Sequence, residues 1–293
     1  MPATPDRAAP VGMAPDFADG IYRLERCNLV VADRHWAFER DHADAIGRHF
    51  RAVGHATPEF YNGRVFVMGE GRLADGALDG VLTPTDFASY HFWRAEGFDV
   101  RCGRDVFGKA IIEAGCGGLL LGRAAPYTMN AGRADLIGGF IDPIDVDFDG
   151  TVDIDASIVR EIVEETGLDL ALFERAPGYI LTVEGALVSI GVHYRSQLPA
   201  VDLVGRIDET LRGQGKPEVT GMVVVEPHQR ADRAALEALG VPPYVARLFG
   251  ALAGDAACAR RTPRLPLDQR RRRPLSRRRQ PRPRQRGRRD GAK

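Results

Sequence analysis

Residues 138–170 carry the most informative pattern of the chain, GGFIDPIDVDFDGTVDIDASIVREIVEETGLDL. Its second half predicts an amphipathic helix over about 156–166, stopped by the glycine that follows. Glu161, Glu164 and Glu165 then stand at i, i+3 and i+4, and all three carboxylates project from one face of the helix. The stretch therefore predicts a dense acidic cluster.

This cluster predicts a site for a hard divalent cation. Like charges at these spacings repel one another, so a cation is expected among them. Oxygen ligands without His or Cys suit Mg²⁺ or Mn²⁺, and magnesium bound by few carboxylates shares its remaining positions with water and substrate phosphate. The alternative is an acidic helix face that is simply solvated.

The charge of the chain is divided between two unlike parts. The 293 residues have a formal net charge of zero. Residues 260–293 contain 16 basic and 2 acidic side chains, a net of +14, which leaves 24 basic and 38 acidic side chains, a net of −14, in residues 1–259. We predict a disordered Arg/Pro-rich tail at 259–293 and a disordered N-terminus at 1–19, because neither can bury enough apolar surface to fold.

Composition also limits the expected partners and compartment. No apolar run approaches the ~18 residues of a membrane span. We therefore expect a soluble cytoplasmic protein with no membrane partner. Nucleic acid is expected to bind only through the basic tail, and a tail without function is the favoured interpretation. The four cysteines are scattered and are expected to be reduced thiols.

Two regions are predicted ahead of the tail. Residues 20–105 form an N-terminal extension, with a helix at 32–52 and strand-like pieces at 64–68 and 87–93. Residues 106–258 form the main domain. Its predicted strands lie at 107–115, 117–125, 134–142, 186–194 and 221–225, and its further helices at 231–239 and 243–253. Strands mixed with a few helices, without regular alternation, favour an α/β (α+β) sandwich with a mixed sheet.

Other catalytic motifs are excluded. Residues 103–109, GRDVFGK, fit G-x-x-x-x-G-K, but Ala110 follows where a phosphate-binding loop needs Ser or Thr. The following residues are also strand-like rather than helical. Neither the G-x-S-x-G elbow nor H-E-x-x-H occurs in the sequence.

The acidic stretch resembles a known family motif. Residues 160–168, REIVEETGL, match every position in the second half of the Nudix box, R-E-U-x-E-E-x-G-U, where U is aliphatic. The first half, G-x5-E, has its counterpart in Gly139 and Asp145, with Asp in place of Glu. The family expects seven residues between this acid and the arginine, whereas this chain has fourteen, 146–159. The resemblance covers about residues 106–255.

The resemblance implies a Nudix-type α/β/α sandwich and an enzyme activity. Such an enzyme hydrolyses the diphosphate bond of a nucleoside diphosphate linked to another moiety and releases a nucleoside monophosphate. Glu161 and Glu165 would be metal ligands, and Glu164 a further ligand or the base that deprotonates water. Arg160 would orient a carboxylate. The cofactor implied is Mg²⁺, with Mn²⁺ as a substitute.

The same resemblance implies two further metal ligands. The carbonyl of Gly138 would be one ligand of the cation, and a loop glutamate often completes such sites. Glu218 stands just before the strand GMVVVEP, where this residue is expected, with Glu226 as the alternative.

The insertion contains a second acidic pattern. Asp145, Asp147, Asp149 and Gly150 have the spacing of the first half of a calcium-binding EF-hand loop, but its twelfth position is Ala156 instead of Glu. A tight polar turn is favoured over a calcium site. Asp155 is expected to cap the following helix.

The substrate is indicated only loosely. Residues 62–66 (NGRVF) and 82–87 (LTPTDF) are similar to the region before the Nudix domain in UDP-glucose-hydrolysing members. An NDP-sugar or related nucleotide conjugate is therefore favoured as substrate, with residues 20–105 forming a homodimer interface or part of the pocket. The alternative is a catalytically weak Nudix-like module that senses nucleotides or regulates.

Overall fold

The computed structural model describes residues 15, 17–57, 60–230 and 232–261. The predicted disordered segments, 1–19 and 259–293, lie outside the described residues except at their inner ends. Within the described part of the chain, no helix is long and apolar enough to cross a membrane.

The larger of two sheets is mixed. Its strands are β1 (Gly20–Leu24), β5 (Asp105–Glu113), β6 (Leu119–Ala124), β7 (Ala134–Asp135), β8 (Phe173–Arg175), β9 (Tyr179–Glu184), β10 (Leu187–Ser196) and β11 (Val219–Val225). The strand order is β1-β9-β10-β5-β6-β11, with β7 beside β6 and β8 beside β10. β5 and β10 run parallel at the centre, and the other pairs are antiparallel.

Helices cover both faces of this sheet. They are α4 (Ile154–Thr166), α5 (Ala200–Gly213), α6 (Arg233–Ala238) and α7 (Pro243–Arg261). On one face, Ile158 of α4 and Ile112 of β5 belong to one buried cluster. On the other face, Ile111 of β5 and Phe249 of α7 belong to a second cluster. Alternate residues of β5 therefore pack into the cores on opposite faces of the sheet. The predicted α/β class, with a mixed sheet and helices on both sides, is confirmed.

The N-terminal part adds a second sheet and three helices. They are β2 (Arg26–Val31), α1 (Ala37–Asp41), α2 (Ala43–Ala56), β3 (Arg64–Ala74), β4 (Ala77–Asp86) and α3 (Phe87–Ala95). The strand order is β2-β4-β3. The helix predicted at 32–52 is formed by α1 and α2, which begin and end later. β1 lies in the larger sheet, so residues 20–105 contribute to both sheets.

The strand predicted at 87–93 is wrong, because these residues form α3. The Asp86 side chain caps the helix by accepting a hydrogen bond from the Ser89 N–H at 2.8 Å. Asn62 supports this cap, since its side chain donates to Asp86 at 3.0 Å and accepts from the Ala88 N–H at 2.7 Å. The aromatic content favours a strand locally, but a capped helix buries these rings on one side.

The insertion before α4 forms a hairpin that pairs with the N-terminal sheet. The Asp147 N–H donates to the Thr151 carbonyl at 2.8 Å and closes the hairpin. The Val152 N–H donates to the Leu29 carbonyl at 2.9 Å, so the hairpin pairs with β2. The predicted tight turn is only its tip, and the insertion also fastens the smaller sheet to the start of α4.

The predicted cap of α4 is wrong. Asp153, not Asp155, accepts the hydrogen bond from the Ala156 N–H, at 2.9 Å. Asp155 lies one residue inside the helix, where its carboxylate accepts from Arg175 at 2.6 Å and from the Tyr179 hydroxyl. The cap therefore falls two residues earlier than the sequence spacing suggested.

A close approach between α4 and β5 sets the position of the helix. A Cβ placed on Gly108 of β5 would lie 2.6 Å from Cγ1 of Ile158 and 3.2 Å from Cδ1 of Ile154. These distances are too short for real side chains, so the strand needs a residue without a Cβ at this point. The helix that bears the acidic cluster can therefore lie directly on the sheet.

Gly108→Ala should lower the free energy of unfolding by roughly 1–3 kcal/mol, because the added methyl group overpacks the contact with α4. Gly205→Ala is the matched control, since this glycine lies inside α5 with no atom within 4 Å of an added Cβ. The control should raise stability by up to about 1 kcal/mol through helix propensity. Urea denaturation measures both, and equal effects of the two substitutions would contradict the contact.

Candidate active site

The helix α4 presents its glutamates beside a glycine loop. Ile158 and Ile162 face the core, which leaves Glu161, Glu164 and Glu165 toward the loop and solvent. The Gly138 N–H donates a hydrogen bond to Oε2 of Glu165 at 3.0 Å. The loop and the helix are thus joined directly through one of the predicted metal ligands.

The backbone at position 138 requires a glycine. Its φ is +129°, in a region that side chains rarely adopt, and a Cβ at this position would overlap the Gly108 carbonyl. Its own carbonyl accepts a hydrogen bond from Nζ of Lys109. The loop therefore passes close over β5, with its N–H toward α4 and its carbonyl toward a buried lysine.

Arg160 connects the two halves of the motif. Its Nη2 lies 3.0 Å and its Nε 3.3 Å from the two carboxylate oxygens of Asp145, whose side chain is only 3% exposed. Asp145 also accepts from the Asp142 N–H at 2.9 Å. Asp145 thus contacts Arg160 despite the insertion, and the carboxylate that the resemblance expects Arg160 to orient is present.

The same arginine contacts two of the helix glutamates. Its Nη1 lies 2.9 Å from Oε1 of Glu161 and 3.0 Å from Oε2 of Glu164. The Glu161 side chain is 14% exposed, whereas that of Glu164 is 59% exposed. One guanidinium therefore restrains a buried and a solvent-accessible carboxylate together.

Burial makes two carboxylates of the cluster difficult to ionise. Burial raises the pKa of Glu165 to about 8, with Glu161 and Glu218 adding repulsion and Lys109 and the Gly138 N–H opposing it. Burial also raises the pKa of Glu161, against the lowering effect of Arg160 and Lys109. The site therefore holds less positive charge than its carboxylates require, as expected where a cation is to bind.

One cavity of about 530 Å³ brings the predicted residues together. We call it the carboxylate cavity. Its lining includes Gly138, Arg160, Glu161, Glu164, Glu165 and Glu218. Glu226 does not line it; it lies beyond the end of β11, where its N–H donates to Gln229 at 2.9 Å. Of the two candidate loop glutamates, the fold places only Glu218 in this cavity.

The donor set fits a hard divalent cation by its chemistry. Carboxylate and carbonyl oxygens are the ligands that Mg²⁺ and Mn²⁺ prefer, and Glu165 has a raised pKa that a bound cation would reverse. As the side chains stand, the described residues contain no group of three or more His, Cys, Asp or Glu side chains gathered closely enough to hold a metal ion. Binding one therefore requires some of these carboxylates to turn toward a common point.

Lys109 is the main site residue that the sequence did not predict. Its side chain is 8% exposed, and its Nζ donates to the carbonyls of Leu136, at 3.0 Å, and Gly138. Asp135 lies 3.5 Å away as an ion-pair partner. The signal in the sequence is a charged residue within an otherwise apolar run, FGKAII, where Lys109 also completes the excluded pattern G-x-x-x-x-G-K.

Asp145→Ala should lower the free energy of unfolding by about 2–4 kcal/mol, because it removes a buried carboxylate that pairs with Arg160 and caps the loop. Asp147→Ala is the matched control. That side chain is exposed in the same insertion and should change stability by no more than about 0.5 kcal/mol. Chemical denaturation checks both, and an Asp145 variant as stable as the control would show that the pair is dispensable.

The stability of the metal-free protein should depend on Glu165. Since its folded pKa of about 8 exceeds the ordinary value near ~4.3, its protonation stabilises the fold fully below pH ~4.3, and this is lost as pH rises through 8. Each pKa unit corresponds to about 1.4 kcal/mol, so the loss is on the order of a few kcal/mol. Denaturation with a chelator at pH 5 to 9 measures it.

Glu165→Gln should remove this loss of stability between pH 5 and 9, since the glutamine side chain cannot ionise. At pH 8, added Mg²⁺ should raise the stability of the wild type more than that of this variant. A wild-type profile parallel to that of the variant would contradict the raised pKa.

Comparison with known proteins gives matches among solved structures alone. No family model matches the chain, and no curated protein does. A MutT protein from Methanosarcina mazei Go1 is similar at 19% identity over 52% of this chain and 94% of that chain, with a TM-score of 0.35. The Nudix hydrolase RenU from M. smegmatis is similar at 17% identity over 52% and 84%, with a TM-score of 0.32.

A third similar structure is the Ap4A hydrolase of C. elegans, at 15% identity over 51% of this chain and 98% of that chain, with a TM-score of 0.32. In this chain the motif lies on a helix against a mixed sheet, its arginine contacts the acid of the first half, and a glycine loop contacts its last glutamate. These features belong to an α/β fold in which helices cover both faces of a mixed sheet.

Proposed function

We propose that this chain is a divalent-metal-dependent hydrolase that cleaves the diphosphate bond of a nucleoside diphosphate linked to another group, releasing a nucleoside monophosphate. The observation that carries the proposal is the carboxylate cavity itself. Three glutamates of one helix and a fourth from the loop before β11 line it, with one arginine to restrain them. Such a concentration of carboxylates suits an ion that bridges to substrate phosphate.

Glu161 and Glu165 would hold the cation, with Glu218 and the Gly138 carbonyl as further ligands. Glu164 would be either another ligand or the base. The Gly138 carbonyl accepts a hydrogen bond from Lys109 through one of its two lone pairs, so the other can bind a cation. Mg²⁺ is the proposed ion and Mn²⁺ its substitute. When bound, the ion would neutralise the diphosphate and lower the pKa of a water molecule.

The side chains of the chain itself have separate roles in this scheme. Glu164 is the most exposed of the helix glutamates and is the proposed base that takes a proton from the attacking water. Arg160 keeps Glu164 and Glu161 in place through its Nη1. Lys109 holds the Gly138 loop over the sheet and places a buried positive charge near the diphosphate.

An NDP-sugar is the proposed substrate class, with residues 20–105 forming part of the pocket or a homodimer interface. The two segments with loose similarity to UDP-glucose-hydrolysing members meet at the start of α3. Asn62 of the first segment bonds to Asp86 of the second at 3.0 Å. The similarity therefore concerns the residues that position α3, a helix that borders the site.

A second candidate is a nucleotide-sensing module with weak activity. The observation that favours it is the present pairing of the carboxylates, since Glu165 bonds to the Gly138 N–H and Glu161 and Glu164 bond to Arg160. A binder could keep these contacts, whereas a hydrolase must release some of them. The nucleic-acid role of the Arg-rich tail falls outside the described residues.

Glu165→Gln and Glu161→Gln should each reduce kcat by at least about 100-fold, because each removes a proposed metal ligand. The assay is release of a nucleoside monophosphate from a panel of nucleoside diphosphate derivatives with Mg²⁺ and with Mn²⁺. Glu226→Gln is the matched control, as the glutamate that does not line the cavity, and should keep near wild-type activity. Binding of nucleotides by the wild type without turnover of any panel member would favour the sensing module.

A further inference from the structure

A second pocket, of about 300 Å³, opens beside the carboxylate cavity. We call it the α3 pocket. Its lining includes Tyr90, Arg94, Asp105, Phe107, Asn130 and Tyr244. Lys109, Gly138, Gly139 and Phe140 line both spaces. A molecule whose diphosphate lies over the glutamates can therefore place an attached group in the α3 pocket.

The pocket contains a buried carboxylate with an unused oxygen. Asp105, the first residue of β5, is 4% exposed. Its Oδ2 accepts a hydrogen bond from the Tyr90 hydroxyl at 2.7 Å, whereas its Oδ1 has no hydrogen-bond partner among the described residues. Burial raises the pKa of Asp105 to about 6, against lowering by Tyr90, Arg94 and Lys109. At neutral pH it is therefore mostly ionised and accepts hydrogen bonds only. A buried acceptor without a donor is costly, so a donor from a ligand suits this position.

The walls of the pocket are aromatic and are held in place by the N-terminal part of the chain. Tyr90 and Phe140 pack edge to face with centroids 4.9 Å apart. Phe98 keeps a φ of +59°, which is unfavourable for a bulky side chain, and its ring packs on Trp93 at 4.7 Å. Strain of this kind persists where the surroundings enforce it, commonly at binding sites.

The polar groups of the pocket come from four different segments. Asp105 is on β5, Asp135 on β7, Arg94 on α3, and Asn130 on the loop before β7, where Arg94 donates to its side-chain oxygen at 3.0 Å. They therefore approach a bound group from several directions. A planar base presents its donors along one edge, whereas a sugar ring presents hydroxyls around its whole circumference and apolar C–H faces to aromatic walls.

We propose that the α3 pocket binds a hydroxylated sugar ring of the substrate and that Asp105 selects this ring by accepting a hydrogen bond from one of its hydroxyls through Oδ1. The inference rests on the proposed function for the position of the diphosphate. The ring is either the ribose of the nucleoside or the sugar joined to its diphosphate, and both offer the same chemistry. Asp105 is thus a specificity-determining residue supplied beside, not within, the motif on α4.

The test measures binding in the Glu164→Gln protein, which lacks the proposed base but keeps Glu161 and Glu165, so that turnover does not interfere. Asp105 is kept or replaced by Asn, which preserves its size, or by Ala. The probes are UDP-glucose, its four analogues that each lack one glucose hydroxyl, the analogue that lacks the ribose 2′-hydroxyl, and ADP-ribose, each titrated calorimetrically with Mg²⁺. With Asp105, loss of one particular hydroxyl should weaken binding about 10- to 100-fold. The position of that hydroxyl identifies the ring as ribose or as the second sugar.

Asp105→Asn should reduce this discrimination and Asp105→Ala should abolish it to within about threefold. Glu113→Gln is the matched control, because Glu113 is at the other end of β5 and already pairs with Nε2 of His193 at 2.7 Å. It should leave the discrimination unchanged. Equal discrimination with and without Asp105, a preference that follows the base instead of any hydroxyl, or no binding of either UDP-glucose or ADP-ribose would each overturn the inference.

Hydrolysis by the wild type, assayed in parallel, separates this inference from the proposed function. Turnover without an effect of Asp105 on selectivity would support the proposed hydrolase activity and contradict the binding of a sugar ring in the α3 pocket. Asp105-dependent selectivity in binding without turnover of any probe would support the pocket and count against the hydrolase.

Discussion

The ion pair between Asp145 and Arg160 is the interaction on which the arrangement of the site depends. A doubled spacing between these two residues would ordinarily separate them. Here the added residues leave as a hairpin and return, so Asp145 still meets Arg160 at 3.0 Å with its side chain 3% exposed. Arg160 also contacts Glu161 and Glu164. The position of the buried Asp145 therefore determines, through Arg160, where these two carboxylates lie in the cavity.

Lys109 supplies the complementary constraint from the other side of the site. An ammonium group that is 8% exposed is stable only if its donors are used, and the carbonyls of Leu136 and Gly138 together with Asp135 use them. Through Gly138 this lysine also fixes the loop whose N–H reaches Glu165. The glutamates of α4 thus lie between an arginine at the insertion and a lysine beneath the loop. The raised pKa values of Glu161 and Glu165 indicate that these two cations do not offset the burial of their carboxylates.

The sequence predicted the elements that repeat a regular pattern and missed those decided by distant contacts. The helix α4 was predicted within two residues of its start, because its apolar spacing and its glycine stop are local signals. The helix α3 was not, because its cap depends on Asn62 from before β3 and its burial on the N-terminal core. Likewise Glu218 could be proposed, because the family resemblance implies a loop glutamate at its place before a strand. Lys109 and Asp105 could not, because their contacts form only where the Gly138 loop, α3 and α7 pack around β5.

The N-terminal part is joined to the larger sandwich in three ways, and each reaches the site. β1 pairs with β9 and so extends the larger sheet. β2 pairs with the insertion hairpin, and Asp145, just before this hairpin, contacts Arg160. The helix α3 brings Tyr90 and Arg94 to the pocket at the start of β5. A boundary at residue 105 therefore separates β1 from β9, the strand with which it pairs. It also separates Tyr90 and Arg94 from other residues that line the same pocket. If substrate selection lies with Asp105, the extension shapes specificity while the motif on α4 supplies the chemistry. The two are coupled through Lys109 and Gly138, which line both spaces.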